Sequence, residues 1–342
     1  MKQTLTKKKK VGYHMTILET FEKRLRKDPK TIVFPEGCDS RVLEASSRLL
    51  AANFLKPILL GKEEQIMDAA EEAGFNIRGA SIIDPENYDR FDEMVELFTK
   101  IRGEKGMTEE KARKQLLHPN YFGTMLVKMG VVDAMLSGLT YSASDTLLPP
   151  LQILTTKPGR TIVSSVYILD LANATGENTT LVMADCAINI DPTEDELIEI
   201  CADTIVCAKA FNVTPKVAFL SYSANGSGKG ESVTKMHNAA QRAKALYPME
   251  LIEGEMQMDA AVSPNVARLK FPNSKVAGYA NTFIFPNVTA GNIGYKIAAR
   301  MGNFNVYGPL LLGLDGKING LSRGANAQEV YTMAVITAAG ID

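Results

Sequence analysis

The chain has 342 residues, of which 45% are hydrophobic and 23% are charged, and its formal net charge is -1. A chain of this length buries a large core and is long enough for two domains. The near-zero net charge gives no reason to expect nucleic acid or a membrane surface as a partner, and no apolar run approaches the roughly 18 residues of a membrane-spanning helix. We therefore expect a soluble protein that acts on small molecules.

The N-terminal segment MKQTLTKKKKVGYHM carries a lysine run, Lys7 to Lys10, without the apolar stretch of a secretory signal, which predicts a solvated tail. The four cysteines form no CxxC pair, and the three histidines show no HExxH spacing. These patterns argue against a zinc site and against a disulfide framework. They favour a cytoplasmic protein without a bound metal.

Short runs rich in valine and isoleucine alternate with helical stretches, a pattern typical of an α/β protein with mainly parallel sheets. The first series of predicted strands is KTIVFPEG, KPILLG, ASIIDP and VVDAMLSG. The helices predicted among them are 41–52, 63–72, 88–101 and 108–117. The second series of strands is TIVSSVYILDL, TTLVMADCAI, KVAFLSYS, MELIEGEM and VAGYANTFIF. The turn-forming sequence TTKPG lies between the two series and suggests a domain boundary near Lys157 to Gly159.

Two local signals in the second series mark helices. Thr193 and Glu196 have capping-box spacing, which predicts the start of a helix that runs toward Ala210. The stretch SYSANGSGKGES precedes a second helix, whose apolar stripe is Val233, Met236, Ala240, Ala243 and Tyr247.

The stretch SYSANGSGKGES resembles a nucleotide-binding loop only superficially. A Walker loop has a Gly ahead of its Gly-Lys pair, with four residues between them, and a Ser or Thr directly after the lysine. Here the first position is occupied by Ser223 or Ala224, and Gly230 follows Lys229, so the match fails twice. A glycine-rich turn between a strand and a helix can present N–H groups to an anion, or it can be purely structural. The sequence leaves both interpretations open.

Three polar loops follow predicted strands, at the carboxyl edge where open α/β sheets bind ligands. The first, SGLTYSASDTLLPP, carries the hydroxyl groups of Ser142, Ser144 and Thr146, which suit an anion but equally suit the cap of a helix. The second, FPNVTAGNIGYKIAAR, contains Asn292 and leads into a helix with Lys296, which would also fit a solvated helix face.

The third polar loop, INGLSRGANAQEV, brings together three kinds of catalytic group. Ser322, Arg323 and Glu329 offer a hydroxyl donor, a fixed cation and a carboxylate base. Asn326 and Glu329 also have capping-box spacing, so helix geometry alone would explain the carboxylate.

Six long segments make the sequence similar to the phosphate acetyl/butaryl transferase family over nearly the whole chain from Thr31 onward. They are FPEGCDSRVLEA, DAMLSGLTYSASDTL, LQILTTKPG, PKVAFLSYSANGSGKGESV, ANTFIFPNVTAGNIGYKIAAR and GLSRGANAQEV. The chain resembles the short members of this family, which lack the additional N-terminal domains of the long members.

The resemblance implies a two-domain, three-layer α/β fold similar to isocitrate and isopropylmalate dehydrogenases, with the active site in the cleft between the domains. The first domain would comprise residues 1–157 and 312–342, and the second would comprise residues 158–311. The family resemblance further implies a homodimer. The implied reaction is reversible acetyl transfer between CoA and phosphate, by direct thiolate attack in a ternary complex, with acetyl-CoA and acetyl phosphate as substrates and no cofactor.

The resemblance also assigns site residues. It implies catalytic roles for Ser322, Arg323 and Glu329, with Glu329 accepting the thiol proton of CoA. The implied substrate-binding residues are Arg102, Ser142, Ser144, Thr146, Lys270, Asn292, Tyr295 and Lys296.

The chain departs from the family pattern at two positions. The family carboxylate is usually aspartate, so Glu329 is one methylene longer. An arginine of the family pattern SDTLRP is Leu148 here, so the anion contact of that arginine is either weaker in this chain or supplied by a neighbour such as Lys157 or Arg160.

Other functions stay open. A phosphate butyryltransferase would differ only in its acyl pocket, which discriminates one methylene weakly. A nicotinamide-dependent decarboxylating dehydrogenase would need a metal-binding aspartate cluster, which we do not find. A binding protein without activity is disfavoured by the three groups of the third loop.

Overall fold

The first of two sheets comes mainly from the first part of the chain. The computed structural model describes residues 17–171 and 179–341, so the lysine run Lys7 to Lys10 and His14 lie outside the described residues. The strands of this sheet are β1 (Lys30–Phe34), β2 (Leu55–Leu60), β3 (Ser81–Ile83), β4 (Ala134–Ser137) and β11 (Lys317–Gly320). They are all parallel, in the order β11-β4-β1-β2-β3.

Eight α-helices of the described chain accompany the first sheet. They are α1 (Ile17–Lys27), α2 (Ser40–Ala52), α3 (Glu63–Ala73), α4 (Phe91–Arg102), α5 (Glu109–Leu116), α6 (Pro119–Lys128), α7 (Ala143–Ile153) and α13 (Ala327–Ala339). Helix α13 is buried along almost its whole length and packs against α1, α2 and β4. A helix in this central position is apolar on every side, as its sequence AQEVYTMAVITAA shows.

The second sheet has six strands. They are β5 (Ser164–Leu171), β6 (Thr180–Ala184), β7 (Lys216–Leu220), β8 (Leu251–Met256), β9 (Thr282–Ile284) and β10 (Phe304–Leu312). Their order is β10-β5-β6-β9-β7-β8, and only the pairings of β5 with β10 and with β6 are antiparallel. The accompanying helices are α8 (Glu194–Ala210), α9 (Glu231–Leu246), α10 (Met258–Val262), α11 (Pro264–Lys270) and α12 (Val288–Met301).

The fold class predicted from the sequence, α/β with mainly parallel sheets, is therefore confirmed. The predicted capping box of α8 is present, since Thr193 Oγ1 accepts the N–H of Glu196 while the Glu196 carboxylate accepts that of Thr193. Helix α9 buries Val233, Met236 and its neighbouring alanines, as the predicted stripe requires. No helix in the described ranges is long and apolar enough to cross a membrane.

The chain passes between the two sheets twice, and the two connecting segments lie side by side. Thr156 pairs with Leu314 as an antiparallel bridge. The N–H of Lys157 donates to the carbonyl of Gly313 at 2.8 Å, and the N–H of Asp315 donates to the carbonyl of Thr155 at 2.8 Å. The crossings fall near the predicted boundaries at 157 and 312, although the domain limits themselves stay a prediction.

Candidate active site

The loop that carries Ser322 lies where three neighbouring strands end. Strands β1, β4 and β11 are adjacent and parallel, so the loops that follow them meet at one edge of the sheet. Gly138, just after β4, has φ +122°, and a Cβ atom there would lie 2.7 Å from the carbonyl oxygen of Leu321. Only glycine allows the loops after β4 and β11 to approach this closely.

Ser322 and Arg323 are both exposed on the loop between β11 and α13. Ser322 Oγ accepts a weak hydrogen bond from the N–H of Gly324 at 3.3 Å, and Arg323 Nε donates to the carbonyl of Tyr141 at 2.9 Å. The two terminal nitrogens of Arg323 have no hydrogen-bond or ion-pair partner among the described residues. This loop therefore presents a hydroxyl group and most of a guanidinium fork to a ligand.

Glu329 stands in the first turn of α13 and completes its capping box. Its Oε2 accepts the N–H of Asn326 at 2.7 Å, and its own N–H donates to Asn326 Oδ1 at 2.9 Å. Within residues 17–171 and 179–341, no hydrogen-bond partner is seen for Oε1. One oxygen thus caps the helix while the other keeps its lone pairs, so the structural and the catalytic interpretations are compatible.

Glu329 also lies near the second sheet. Burial, the charge of Asp170 and the charge of Glu329 together raise the pKa of Tyr307 in β10 to about 12. Strand β10 packs against β11 and α13, so the charge of Glu329 lies near enough to this strand of the second sheet to affect Tyr307.

The hydroxyl groups after β4 are used mainly by the protein itself. Ser142 caps α7 by accepting the N–H of Asp145 at 3.1 Å, and its hydroxyl donates to the Asp145 carboxylate at 2.6 Å. Thr146 is buried and donates to the carbonyl of Ser142 at 2.9 Å. Ser144 is exposed, one turn before Leu148. The capping alternative therefore describes Ser142, and the hydroxyl of Thr146 is used within the first turns of α7.

The two cations considered as substitutes at Leu148 lie elsewhere. Arg160 forms an ion pair with Asp203 at 2.6 Å. Together with Lys157 it lines a cavity of about 480 Å³ beside Lys317, at the amino end of β11. The loop of Ser322 follows the opposite end of the same strand. This placement argues against either cation replacing the family arginine, because the charge would be at the wrong edge of the sheet.

Four of the predicted substrate-binding residues lie on the second sheet's helices. Asn292 Nδ2 donates to the carbonyl of Cys186 at 3.0 Å, and the Tyr295 ring stacks on that of Tyr167 with centroids 3.9 Å apart. Lys270 Nζ donates to Gln257 Oε1 at 2.6 Å. Lys296 is exposed, with its Nζ 5.8 Å from the Tyr295 ring centroid. These four residues contact the part of the molecule built around the second sheet, not the loop of Ser322.

Arg102 ends α4, on the first sheet's side of the molecule. Its Nε is buried and has no hydrogen-bond partner within the described chain. A buried donor of this kind requires an acceptor, which a bound anion could provide.

The glycine-rich turn in SYSANGSGKGES, which lies between β7 and α9, wraps a carboxylate of the protein. Glu255 is 1% exposed, and its carboxylate accepts from Ser223 Oγ at 2.9 Å and from the N–H of Gly226 at 2.8 Å. His237 Nδ1 lies 3.0 Å from its other oxygen, and the N–H of Gly228 donates to Ser223 Oγ at 2.9 Å. The structure therefore favours the structural interpretation of this turn, because these N–H groups already have acceptors.

A buried glutamate that the sequence analysis did not single out supports the loop after β4. Glu36 accepts hydrogen bonds from the N–H groups of Gly138, at 3.1 Å, and Thr140, at 2.7 Å, and from the Thr140 hydroxyl at 3.0 Å. Burial raises the pKa of Glu36, although these hydrogen bonds oppose the rise. The sequence signal that could have identified Glu36 is a charged residue just after the apolar strand β1. Among residues 17–171 and 179–341, no group of three or more His, Cys, Asp or Glu side chains is placed to hold a metal ion.

Comparison with known proteins gives consistent matches along the chain. The sequence model of the phosphate acetyl/butaryl transferase family matches residues 16–338. A phosphate acetyltransferase of Bacillus subtilis is 47% identical over 318 residues, which covers 93% of this chain and 96% of the relative.

Two solved structures are similar in fold as well as in sequence. A phosphotransacetylase of Streptococcus pyogenes is 46% identical with a TM-score of 0.88, covering 94% of this chain and 97% of that chain. A phosphotransacetylase of Staphylococcus aureus is 39% identical with a TM-score of 0.82 and the same coverage. The similarity thus extends across both sheets.

Proposed function

The chain belongs to the phosphate acetyl/butaryl transferase family, and from this membership we propose that it is an acyltransferase that exchanges acetyl groups between CoA and phosphate. Its substrates are CoA and acetyl phosphate in one direction and acetyl-CoA and phosphate in the other. The observation that carries the proposal is the grouping on one loop and the following helix turn of Ser322, Arg323 and Glu329, with the terminal nitrogens of Arg323 and one oxygen of Glu329 unengaged by the described residues.

The chemistry of the exchange suits these groups. The thiol of CoA has a pKa near ~8.5 and is mostly protonated at neutral pH, whereas the thiolate is the nucleophile. Oε1 of Glu329 accepts the proton as the sulfur attacks the carbonyl carbon of acetyl phosphate. A carbon–sulfur bond forms, the carbon–oxygen bond to phosphate breaks, and phosphate leaves with the electron pair.

Charge stabilisation falls to the other two residues. Arg323 faces the negative charge that develops on the carbonyl oxygen and the leaving phosphate, and Ser322 donates a hydrogen bond to the same region. Holding both anionic substrates in place contributes about 7–11 kcal/mol to lowering the barrier in well-oriented reactions of this kind. Arg102 offers its buried Nε to a substrate anion, and Ser144 and Lys296 are the exposed candidates for further contacts.

The proposed assembly is a homodimer that forms through α12. Ile293, Ile297 and Met301 recur every four residues on this helix and are 54%, 53% and 84% exposed. A helix with an apolar stripe on its outer side is typical of a surface that a partner covers. We place the protein in the cytoplasm, since its four cysteines are free thiols.

The decisive experiment measures thioester formation by the purified protein from acetyl phosphate and CoA in the presence of EDTA. We expect acetyl-CoA to form at a rate proportional to protein concentration, and butyryl phosphate to react more slowly. Arg323→Ala is the control, and it should lose most of the turnover. Absence of thioester with the parent protein would refute the proposed function.

A further inference from the structure

A single guanidinium group, that of Arg41 in the first turn of α2, ties together the loops of the proposed active site. Its Nη1 donates to the carbonyl of Arg323 at 2.8 Å and to the carbonyl of Ala325 at 3.0 Å. Its Nη2 reaches the carbonyl of Leu139 at 3.4 Å. The same side chain therefore joins the loop after β11 to the loop after β4.

Asp39 holds this guanidinium group in a fixed orientation. Arg41 Nε donates to Asp39 Oδ1 at 2.9 Å, and Arg41 Nη2 donates to Asp39 Oδ2 at 2.7 Å. Asp39 in turn is the N-cap of α2, since its Oδ1 also accepts the N–H of Arg41 at 3.0 Å. The planar fork of arginine and the two oxygens of a carboxylate match in this geometry.

The hydrogen bonds of Arg41 distinguish it from a substrate-binding arginine. A guanidinium group has five N–H donors. For Arg41 these five meet the two Asp39 oxygens and the carbonyls of Leu139, Arg323 and Ala325. No donor is left for phosphate or CoA, so the side chain acts on the protein rather than on a ligand. Arg323 shows the opposite arrangement, with only Nε bound to the described protein.

We propose that Arg41 is a positioning residue, which fixes the backbone of Arg323 and thereby the direction in which the Arg323 guanidinium meets the reacting groups. This inference rests on the acetyl-transfer function proposed above. Lysine at this position keeps the positive charge but donates from one nitrogen, so it cannot hold Asp39 and the carbonyls of both loops together. The loop of Ser322 and Arg323 then loses its anchor to the loop after β4.

The first test measures steady-state kinetics of Arg41→Lys. A misplacement of about 1 Å costs about 100-fold in rate, so we expect kcat to fall by roughly that factor while the KM for CoA changes by less than about threefold. Arg48→Lys is the matched control, because Arg48 lies on the same helix and bonds Gln328 Oε1 at 2.6 Å without touching the loop. It should keep kcat within about twofold. An Arg41→Lys enzyme with parental kcat would overturn the proposal.

A double mutant then asks whether Arg41 acts through Arg323. In an Arg323→Ala background, Arg41→Lys should cost less than about threefold, because residues that act as a unit are not additive. If the double variant instead loses activity by the full product of the two single losses, Arg41 acts independently of Arg323 and the proposal is wrong.

Hydrogen exchange provides a measurement that does not depend on activity. In Arg41→Lys, we expect the amides of Gly324 and Ala325 to exchange at least tenfold faster than in the parent protein, while the melting temperature stays close to the parental value. If the parent protein is active, unchanged exchange and unchanged kcat in Arg41→Lys would overturn the positioning role. An inactive parent with accelerated exchange in the variant would instead refute only the proposed function.

Asp39→Asn serves if Arg41→Lys does not fold. Asparagine also caps helices, but it replaces a charged, two-oxygen partner of Arg41 with a single neutral acceptor. We expect faster exchange at Gly324 and Ala325 and a roughly fivefold to tenfold fall in kcat. Parental exchange and parental kcat in this variant would count against the proposal.

Discussion

In the proposed mechanism, Glu329 divides its two carboxylate oxygens between two tasks. Oε2 accepts the N–H of Asn326 at 2.7 Å and starts α13, while Oε1 has no partner in the described ranges. The family pattern has aspartate at this position, and the additional methylene of glutamate still allows the capping bond. Substitutions that keep the cap and remove the charge can therefore separate the two tasks.

We expect Glu329→Gln to keep the helix and lose the base. Glutamine serves in a capping box as well as glutamate does, so the melting temperature should change little. Turnover should fall about 10²–10⁴-fold, the usual effect of removing a general base, and should recover partly at higher pH as CoA ionises unaided. Glu329→Asp should be much milder. Initial rates and thermal melts give the answer, and a Gln variant within about tenfold of parental turnover would exclude Glu329 as the base.

A second prediction concerns Leu148, which is 43% exposed where the family pattern has arginine. Arg160 is engaged by Asp203 at the amino end of β11 and is not placed to supply the charge. We therefore expect Leu148→Arg to lower the KM for acetyl phosphate several-fold with little change in kcat. Leu151→Arg, at a position 40% exposed on the same helix, is the matched control and should leave the KM unchanged. Equal KM values in all three proteins would refute the idea.

At the scale of single residues, the proposed reactive groups can be found in the sequence more readily than the residues that support them. Ser322, Arg323 and Glu329 occur within one short segment, so their proximity can be read from spacing. Arg41 becomes important only because the fold brings the ends of β1, β4 and β11 together, and nothing near Arg41 in the sequence reveals a bond to the carbonyl of Arg323.

At the scale of elements, the glycine-rich turn before α9 depends on the buried carboxylate of Glu255. Burial disfavours the charged form, but hydrogen bonds from Gly226, His237 and Ser223 outweigh it and hold the pKa of Glu255 below its ordinary value. A depressed folded-state pKa means that folding favours the charged carboxylate. Its stabilising effect is thus present above the ordinary pKa and is lost as the pH falls through the folded-state value.

Glu255→Gln should therefore destabilise the protein most at neutral pH. Breaking a charged, buried network of hydrogen bonds costs about 1–3 kcal/mol, and the difference from the parent should shrink as the pH falls below about 4. Denaturant titrations at several pH values measure this difference. Glu253→Gln is the control on the same strand, where the side chain is only partly buried, and it should cost less at neutral pH. A difference that does not depend on pH would contradict the assignment.

Most strands were predicted from apolar runs, but β10 was not predicted, and β11 was implied only by the polar loop that follows it. Strand β10, FNVYGPLLL, contains Gly308 and Pro309, which normally end a strand, and it tolerates them because it lies at the edge of its sheet and its register shifts there. Strand β11, KING, is too short to show a period and forms by pairing with β4. Both depend on partners far away in the sequence, which local patterns do not report.

At the scale of the whole molecule, the proposed dimer can be tested on α12. Ile297→Lys places a charge in the centre of the exposed stripe formed by Ile293, Ile297 and Met301. We expect sedimentation velocity to show a dimer for the parent and a monomer for the variant, because burying an unpaired charge opposes association. Met249→Lys is the control, since Met249 is 91% exposed and lies outside the stripe. A dimeric Ile297→Lys protein would show that the interface lies elsewhere.

The place of β11 in the first sheet has a consequence for the way this protein is made. A ribosome completes β1 to β4 early, yet β11, the second neighbour of β4, emerges only after every strand of the second sheet. Until then the nascent chain carries an open edge at β4, whose four residues are buried in the finished protein. Such an edge is prone to pair with other chains. The pairing of β11 with β4 also brings Arg323 to Tyr141, so the newborn protein covers the edge of β4 and assembles its candidate active site in the same event.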